Sequence, residues 1–307
     1  MDGILNVLKP PGMTSHDVVA FIRRLVPGKK AGHTGTLDPG AAGVLPVCLG
    51  RATRIIQFLP GEKAYRAETT FGRATDTGDA FGRVVYRGDA TGLTRRAIEE
   101  VLQTFCGQIR QVPPMTSAVH YAGKKLYQLA RQGLEVERQP RLVTIHSLRL
   151  VRLTGEGSGQ PKALVDVVCS AGTYIRTLIH DLGERLGCGA YMSFLLRIRA
   201  GPFSIHRAVT LEEVADMVRE GNLAQNLVGL KEALGHMPAV QVQQRAVAAV
   251  RAGRPLYWPG VGGVEGCLQT GGLVRLTDGT ELLAVARAEL DPERAGRLKF
   301  LPVRVLV

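Results

Sequence analysis

The chain has 307 residues, of which 45% are hydrophobic and 21% are charged, a balance typical of a globular protein with one large core or two smaller ones. This composition excludes extensive disorder, and without an apolar run of membrane-spanning length or an export leader we expect a cytoplasmic protein. A formal charge of +12 favours a polyanionic partner, with nucleic acid as the leading candidate, although a basic but ordinary surface carries the same charge. The five cysteines never form a Cys-x-x-Cys pair, so neither a zinc knuckle nor a redox pair is predicted.

Helical and strand-like patterns alternate in the first third of the chain. Ser15 is predicted to cap a helix that ends at Pro27-Gly28, because apolar residues recur at helical spacing between them. Residues 31 to 54 lack either period over most of their length and are rich in glycine, which is typical of an ordered functional loop. A strand is then predicted over 65–71 and a helix over 94–105.

The pattern loosens from 108 to 141, where Lys and Arg are interspersed with Tyr and Leu. This stretch is interpreted as a basic excursion from the core, with an ordinary solvated loop as the alternative. Strands are predicted next over 143–153 and 163–169, and the second leads into a helix that Gly187 ends. Mixed strands and helices in this order predict an α+β fold.

The sequence pattern changes in the last part of the chain. A capping box, Thr210-x-x-Glu213, begins one more helix. From about residue 238, short strand-like pieces separated by Gly-Gly turns predict a small β-barrel at the C-terminus. These pieces are 274–277, 282–286 and 300–307.

The densest group of reactive residue types is Gly32-His-Thr-Gly-Thr-Leu-Asp38-Pro39. Pro39 biases Asp38 toward extended geometry, and the glycines allow the backbone to approach a ligand closely. This arrangement suits a carboxylate held in place as a nucleophile. An Asp-Pro turn is also a common structural element, so the residues alone leave both interpretations open.

Five motif-like blocks follow one another along the chain. Residues 3–15 read GILNVLKPPGMTS, and residues 32–46 read GHTGTLDPGAAGVLP. The others are Lys63-Ala-Tyr65-Arg66, then PPMTSA at 113–118 with GKKLY at 123–127, and CSAGTYIRT at 169–177. In this order they resemble the motifs of the TruB family of tRNA pseudouridine synthases.

The resemblance implies a fold and a domain organisation. We expect a pseudouridine synthase fold, with a mixed, mainly antiparallel central sheet flanked by helices, over residues 1–236. The basic excursion at about 108–141 resembles the family's thumb, which closes over the RNA. Residues 237–307 resemble the PUA-like RNA-binding domain, a small β-barrel, that follows the catalytic domain in these enzymes.

The resemblance also implies a reaction. The family isomerises the T-loop uridine at tRNA position 55 to pseudouridine, and its catalytic carboxylate corresponds to Asp38. After the uridine is flipped out, Asp38 attacks either the ribosyl C1′ or the base C6, and the uracil detaches, rotates and rejoins through C5. Such chemistry requires no metal, nucleotide cofactor or redox group.

Further site residues are assigned by the same resemblance. Tyr65 is expected to stack on the flipped uracil and to take part in removing the C5 proton, and Arg176 to pair with Asp38. Tyr174 and Leu195 match positions that line the uridine pocket, and His33 matches a residue that inserts into the T-loop. The remaining predicted contacts with substrate are those of Lys9 and of the thumb residues Lys124, Lys125 and Arg131.

The predicted partner is tRNA, bound through its T-stem and T-loop. No membrane and no obligate protein partner are expected, and the chain is expected to act as a monomer. An alternative from a different class is a tRNA-folding module that does not use its catalytic site, and folding and catalysis can coexist. A hydrolase that uses Asp38 with His33 is disfavoured, because the sequence offers no metal cluster or nucleophile triad.

Overall fold

The computed structural model describes residues 1–291, 293 and 296–306, in which strands and helices alternate. In chain order, the elements before residue 140 are β1 (Gly3–Lys9), α1 (Ser15–Leu25), β2 (Ala31–His33), β3 (Ala42–Leu49), β4 (Lys63–Phe71), β5 (Arg73–Thr75), β6 (Val84–Arg87), α2 (Arg95–Gln103), β7 (Gly107–Gln111), β8 (His120–Tyr121), β9 (Lys124–Lys125) and α3 (Leu126–Arg131).

The elements that follow are β10 (Arg141–Thr154), β11 (Lys162–Cys169), α4 (Ile175–Arg185), β12 (Ala190–Ala200), β13 (Phe203–Ser204), α5 (Leu211–Arg219), α6 (Leu230–Ala233), β14 (Ala239–Val242), α7 (Gln244–Arg251), β15 (Val261–Glu265), β16 (Leu273–Thr277), β17 (Leu282–Leu290) and β18 (Leu298–Val305). Short 3-10 helices lie at Gly50–Phe58, Ile205–Arg207, Leu223–Asn226 and Trp258–Gly260. None of the helices within these residues is both long and apolar enough to cross a lipid bilayer.

A nine-stranded sheet forms the centre of the larger unit. Its main order is β1-β3-β12-β4-β11-β10-β7, while β2 pairs with β3 and β13 with β12. Every neighbouring pair is antiparallel except β3 and β12, which run parallel. The predicted α+β fold with a mixed, mainly antiparallel sheet is therefore confirmed.

Helices cover this sheet because their apolar stripes need a partner surface. The buried side chains of α2 and α4 join those of β4, β10 and β11 in one core cluster. Helices α1 and α5 pack against β1 and β3 in a second cluster. The strands that carry the predicted site residues are thus held between buried layers, which fixes their side chains.

The start of α1 differs from the prediction. Thr14, not Ser15, is the N-cap: its hydroxyl accepts the Asp17 N–H at 3.0 Å, and the Asp17 carboxylate accepts the Thr14 N–H at 2.8 Å. Both residue types are good caps, so the sequence did not separate them. The Ser15 hydroxyl is instead used in a long-range contact with the loop that follows β2. The capping box predicted at Thr210 and Glu213 is confirmed.

The C-terminal unit is built on a five-stranded sheet with the order β15-β14-β16-β17-β18. Most of its buried residues form their own cluster with α7. The strand predicted over 300–307 is β18, although Val307 lies outside the described residues. The unit packs against the larger one through a shared cluster that includes Ile4, Cys48, Val285 and Leu306.

The chain leaves the main sheet between β7 and β10. The two strands pair with Arg141 opposite Gln111, so the intervening residues 112–140 project from one place on the sheet edge. They contain the β8–β9 hairpin and α3, whose Leu126 and Leu129 are buried. This segment therefore has its own small packed structure.

Candidate active site

Asp38 lies in the loop between β2 and β3, and buried side chains hold the backbone of that loop. The Ser15 hydroxyl accepts the Leu37 N–H at 2.8 Å and donates to the Leu37 carbonyl at 3.1 Å. The Lys9 ammonium, which is completely buried, donates to the carbonyls of Pro10, Pro39 and Ala41 at 2.8, 3.2 and 2.6 Å. The backbone on both sides of Asp38 is therefore fixed by contacts with α1 and β1.

Arg197 holds the same loop from the other side. It is fully buried on β12, and its guanidinium donates to the carbonyls of Gly35, Thr36 and Val44 at 3.0, 3.4 and 2.7 Å. The loop comes this close because β3 has a glycine where it meets β12: a Cβ on Gly43 would lie 2.3 Å from the Arg197 carbonyl oxygen, and its φ is +116°.

The carboxylate of Asp38 forms a two-point ion pair with Arg176 at the start of α4. The distances are 2.9 Å from Nε to Oδ2 and 3.3 Å from Nη2 to Oδ1. Only 5% of the Arg176 side chain is exposed, compared with 35% for Asp38. The guanidinium also donates to the Thr77 carbonyl and to the carbonyl and hydroxyl of Thr116. The pair fixes the orientation of the carboxylate while leaving part of it accessible.

Asp79 adds a second carboxylate to this cluster, with its Oδ2 3.8 Å from Nη1 of Arg176. Burial raises the pKa of Asp38 above its ordinary value, Arg176 lowers it, and the Asp79 charge raises it again. The net direction is upward. The arginine therefore opposes the effects of burial and of the second carboxylate without overcoming them.

Tyr65 and Leu195 are buried side chains in the core next to the loop that holds Asp38. Both belong to the buried cluster that includes Leu37 and Ala41, which flank Asp38 in the sequence. Burial raises the pKa of Tyr65, so its hydroxyl is protonated at neutral pH. Tyr65 lies directly opposite Arg197 in the pairing of β4 with β12.

Tyr174 is the residue that precedes α4, two positions before Arg176. Its backbone N–H donates to the Gln111 side-chain oxygen at 3.0 Å, and its carbonyl accepts from the Gln111 amide at 3.3 Å. Gln111 is buried at the end of β7, so it joins the start of α4 to the strand that leads into the thumb-like segment.

His33 ends β2, and its ring is half-buried. Burial lowers the pKa of His33, as do the nearby charges of Arg197 and Lys125. The ring is therefore neutral at physiological pH, which suits stacking. Its Nδ1 is buried without a hydrogen-bond partner among the residues described.

The predicted substrate contacts with Lys and Arg fall into two groups. Lys124 and Arg131 are exposed and Lys125 is half-buried, and the cations of Lys125 and Arg131 lie 5.9 and 5.4 Å from the centre of the Tyr127 ring. Lys9 is different, because its buried ammonium is saturated by three carbonyls and supports the Asp38 loop. Burial also lowers the pKa of Lys9 to about 8.

A basic groove lies beside β2. It has a volume of about 810 Å³ and is lined by Ala20, Arg23, Arg24, Gly28, Lys29, Lys30, Ala31, Gly32 and Thr53. The four cationic side chains that line it form no salt bridge within the part of the chain that the structure describes. The groove does not contain Asp38, but it reaches Gly32, the neighbour of His33.

Five supporting residues were not predicted from the sequence: Ser15 in this role, Asp79, Gln111, Thr116 and Arg197. Their contacts connect segments far apart in the chain, such as Arg197 with Gly35 or Arg176 with Thr116. Of these five residues, only Arg197 could have been recognised from the sequence, because it is a charged residue at an inward-facing position of an apolar strand.

Replacing Ser15 with alanine should lower stability by about 1 to 3 kcal/mol, because it leaves the buried Leu37 N–H without a partner. Thermal unfolding measures this effect. Ser147→Ala, on an exposed stretch of β10, is the control, and equal effects of the two variants would contradict the assigned role.

Comparisons with known proteins were made on the whole chain. The TruB family pseudouridylate synthase N-terminal domain matches residues 23–175, the tRNA pseudouridylate synthase B C-terminal domain matches 176–235, and the PUA domain matches 238–299. The first of these segments contains Asp38, Tyr65 and Tyr174, and the second begins at Arg176.

Individual relatives agree with these matches. The tRNA pseudouridine synthase B of Pelotomaculum thermopropionicum is 55% identical over 307 residues, which span 100% of this chain and 97% of that protein. The enzyme of the same name from Symbiobacterium thermophilum is 58% identical over 82% of each chain. Among solved structures, an H/ACA RNP bound to a substrate RNA containing 2′-deoxyuridine has a chain that superposes with a TM-score of 0.75 at 30% identity, covering 99% of this chain and 85% of its own.

Proposed function

Because the chain belongs to the TruB family and is a tRNA pseudouridine synthase, we propose that it isomerises the uridine at position 55 in the T-loop of tRNA, with Asp38 as the catalytic carboxylate. The observation that carries the proposal is the two-point pair of Asp38 with Arg176. It presents a fixed, partly exposed carboxylate beside the aromatic side chain of Tyr65, which is the arrangement that attack on a flipped nucleotide requires.

The proposed reaction conserves all atoms of the substrate. A carboxylate oxygen of Asp38 forms a bond to the ribosyl C1′ or to C6 of the base, and the N1–C1′ bond breaks. The uracil rotates and C5 bonds to C1′. On the C1′ route this step breaks the bond between the Asp38 oxygen and C1′, and on the C6 route the bond between that oxygen and C6 breaks as the C5 proton is removed. On both routes the C5 proton is lost, N1 gains a proton, and the Asp38 carboxylate is regenerated. Because the isomerisation involves no net oxidation or reduction of the substrate, it requires no redox partner.

Extraction of the uridine from the T-loop has an energetic cost that aromatic residues offset. Flipping a stacked base costs a few kcal/mol, and stacking on an aromatic side chain returns about 1 to 3 kcal/mol per base. Tyr65 is proposed to stack on the target uracil, while Tyr174 and Leu195 line its pocket. The neutral ring of His33 is proposed to occupy the space that the extruded nucleotides leave.

The RNA backbone is proposed to follow two positively charged surfaces. One is the thumb-like segment with Lys124, Lys125 and Arg131, and the other is the basic groove that reaches Gly32. Lys125 contributes to the lowered pKa of His33, which is half-buried at the end of β2. Lys9 is proposed to act on the substrate only indirectly, through the loop that it supports.

We also propose a division into a synthase domain, residues 1–236 with the thumb at about 108–141, and a PUA-like RNA-binding domain, residues 237–307. The separate core cluster of the C-terminal sheet supports this division, as does the PUA match over 238–299. The enzyme is proposed to act in the cytoplasm as a monomer that binds the T-stem and T-loop without an obligate protein partner.

Salt should weaken RNA binding steeply, since each displaced phosphate counterion contributes about 0.9 to the slope of log K against log salt for a duplex. Arg23→Gln combined with Arg24→Gln should reduce this slope by about 2. Binding isotherms at several salt concentrations measure it. The control is Arg95→Gln with Arg96→Gln, two adjacent arginines whose charges are already paired with Glu99 and Glu100. Equal slopes for both double variants would contradict the groove's role.

The acid side of the pH profile follows from the raised pKa of Asp38. Attack requires the ionised carboxylate, so kcat/KM should fall about tenfold per pH unit below that pKa, with a midpoint above 3.8. The raised pKa also makes folding less favourable as pH rises from 3.8 toward the pKa of Asp38 in the folded protein, because Asp38 ionises more readily in the unfolded chain. Initial rates from acidic to neutral pH measure the midpoint, and a value below 3.8 would contradict the assignment.

The site of modification is tested by incubating the protein with an unmodified tRNA transcript and mapping pseudouridine by mass spectrometry of RNA fragments. The expected product is pseudouridine at position 55, and a transcript with cytidine there should remain unmodified. Modification of other uridines with position 55 untouched would contradict the proposed substrate.

A further inference from the structure

Phe81 is the most exposed large apolar side chain in the described ranges, with 81% of its surface in solvent. An apolar ring in this setting is unfavourable in isolation, because burial of aromatic surface is a main source of stability. A ring at the end of a mobile loop would have no particular meaning. Phe81 is instead held in a defined position.

Hydrogen bonds fix the loop that carries Phe81. The Phe81 N–H donates to Asp79 Oδ1 at 3.0 Å, and the Gly82 N–H donates to the Asp79 carbonyl at 3.3 Å. The Ala80 N–H donates to the carbonyl of Met192 on β12 at 3.1 Å. The backbone under the ring is therefore joined both to the main sheet and to Asp79.

The Phe81 ring packs directly against Gly40. A Cβ built on Gly40 would lie 2.2 Å from Cε2 of Phe81 and 2.7 Å from Cζ. The φ of Gly40 is not in the left-handed region, so the backbone itself does not demand glycine there. The ring edge thus occupies the space that any other residue would need for its side chain.

Both supports of the ring belong to the candidate active site. Gly40 follows Asp38 by two residues, so their Cα atoms are at most about 7.6 Å apart. Asp79, on the other side, lies 3.8 Å from Arg176. A nucleotide whose sugar or base reaches Asp38 therefore brings its neighbours in the RNA close to the exposed ring.

We propose that Phe81 is a stacking site for a nucleobase adjacent to the target uridine, separate from the pocket that Tyr65 and Leu195 form. The inference rests on the proposed function, which supplies an RNA loop at this pocket. Stacking accepts any base, because every base has a flat π-face, so the site contributes affinity and positioning without reading the base identity.

Substitutions of the ring test the proposal. Phe81→Ala should weaken binding of a T-arm hairpin by about 5- to 150-fold, the range that corresponds to the loss of one stacked base. Phe81→Tyr should bind within about threefold of the original protein, because it keeps the ring. The single-turnover rate at saturating hairpin should change much less than affinity. Phe194→Ala, which removes another exposed phenyl ring of 42% exposure, is the matched control.

Paired changes in protein and RNA identify the stacked base. Hairpins with an abasic nucleotide immediately 5′ or 3′ of the target uridine are titrated against the original protein and Phe81→Ala. At the stacked position the two losses should not add, because either change removes the same contact. Full additivity at both positions, or equal affinity of Phe81→Ala and the original protein, would overturn the proposal.

Two further measurements keep the result interpretable. Thermal unfolding should be unchanged in Phe81→Ala, and Phe81→Leu provides a second ring-free variant if it is not. Turnover of the original protein on the unchanged hairpin is measured in parallel. No turnover would count against the proposed function, whereas normal turnover with unaltered binding by Phe81→Ala would count against the stacking site alone.

Discussion

Replacing Asp38 with asparagine is expected to lower the single-turnover rate by at least about 1,000-fold while changing tRNA affinity only a few-fold. The amide keeps the size of the side chain but has no negative charge, so it is a poor nucleophile toward C1′ or C6. Affinity should survive because binding rests on the basic surfaces and the aromatic residues around the pocket. Single-turnover assays and binding isotherms on the same RNA separate the two quantities.

Controls for this prediction come from within the chain. Asp216→Asn removes an exposed carboxylate on α5 and should behave like the original protein. Asp38→Ala should be as inactive as Asp38→Asn, and it cannot regain activity by deamidation. A rate for Asp38→Asn near that of Asp216→Asn would show that another group performs the chemistry. If tRNA folding is a separate activity of the protein, it should persist in both Asp38 variants.

Replacing Arg176 with alanine is expected to lower turnover at neutral pH by at least about 100-fold and to move the acid limb of the pH profile upward. The substitution removes the cation that lowers the pKa of Asp38 while the Asp79 charge remains, so the pKa of Asp38 rises further. Less of the carboxylate is then ionised, and its orientation is no longer fixed.

Stability should fall as well, by less than the roughly 3 to 5 kcal/mol typical of breaking a fully buried pair, because Asp38 is partly exposed. Arg176→Lys separates charge from geometry. It should return the acid limb toward its original position but recover turnover only in part, since lysine cannot make the two-point contact. Rate measurements over pH on all three proteins provide the test. An unchanged acid limb in Arg176→Ala would contradict the proposed electrostatic role.

The sequence was most informative where function and local pattern coincide. Asp38 and Arg176 stand in compact motifs that resemble those of the family, and their roles were assigned from that resemblance; the structure brings the two side chains into direct contact. The main strands also followed from alternating apolar residues, as in β11, where buried and partly exposed positions alternate. Such signals lie within a few residues of one another, so they can be read without knowledge of the fold.

Other features depend on contacts that no local pattern encodes. Ser15 and Thr14 are equally suitable helix caps, and the choice is settled by Leu37, to which the Ser15 hydroxyl is bonded. The long side chains of Lys9 and Arg197 suggest surface positions, yet both are buried because backbone carbonyls of the Asp38 loop satisfy their donors. These carbonyls converge only once β1, β3 and β12 have paired.

The most direct test of the central claim is tritium release from a T-arm transcript labelled at C5 of its uridines. Formation of the C5–C1′ bond displaces the C5 hydrogen, so the protein should release tritium equivalent to one uridine per RNA. Asp38→Asn, or a transcript with cytidine at position 55, should release none above background. Absence of release by the original protein, or equal release from the transcript without that uridine, would contradict the proposed reaction.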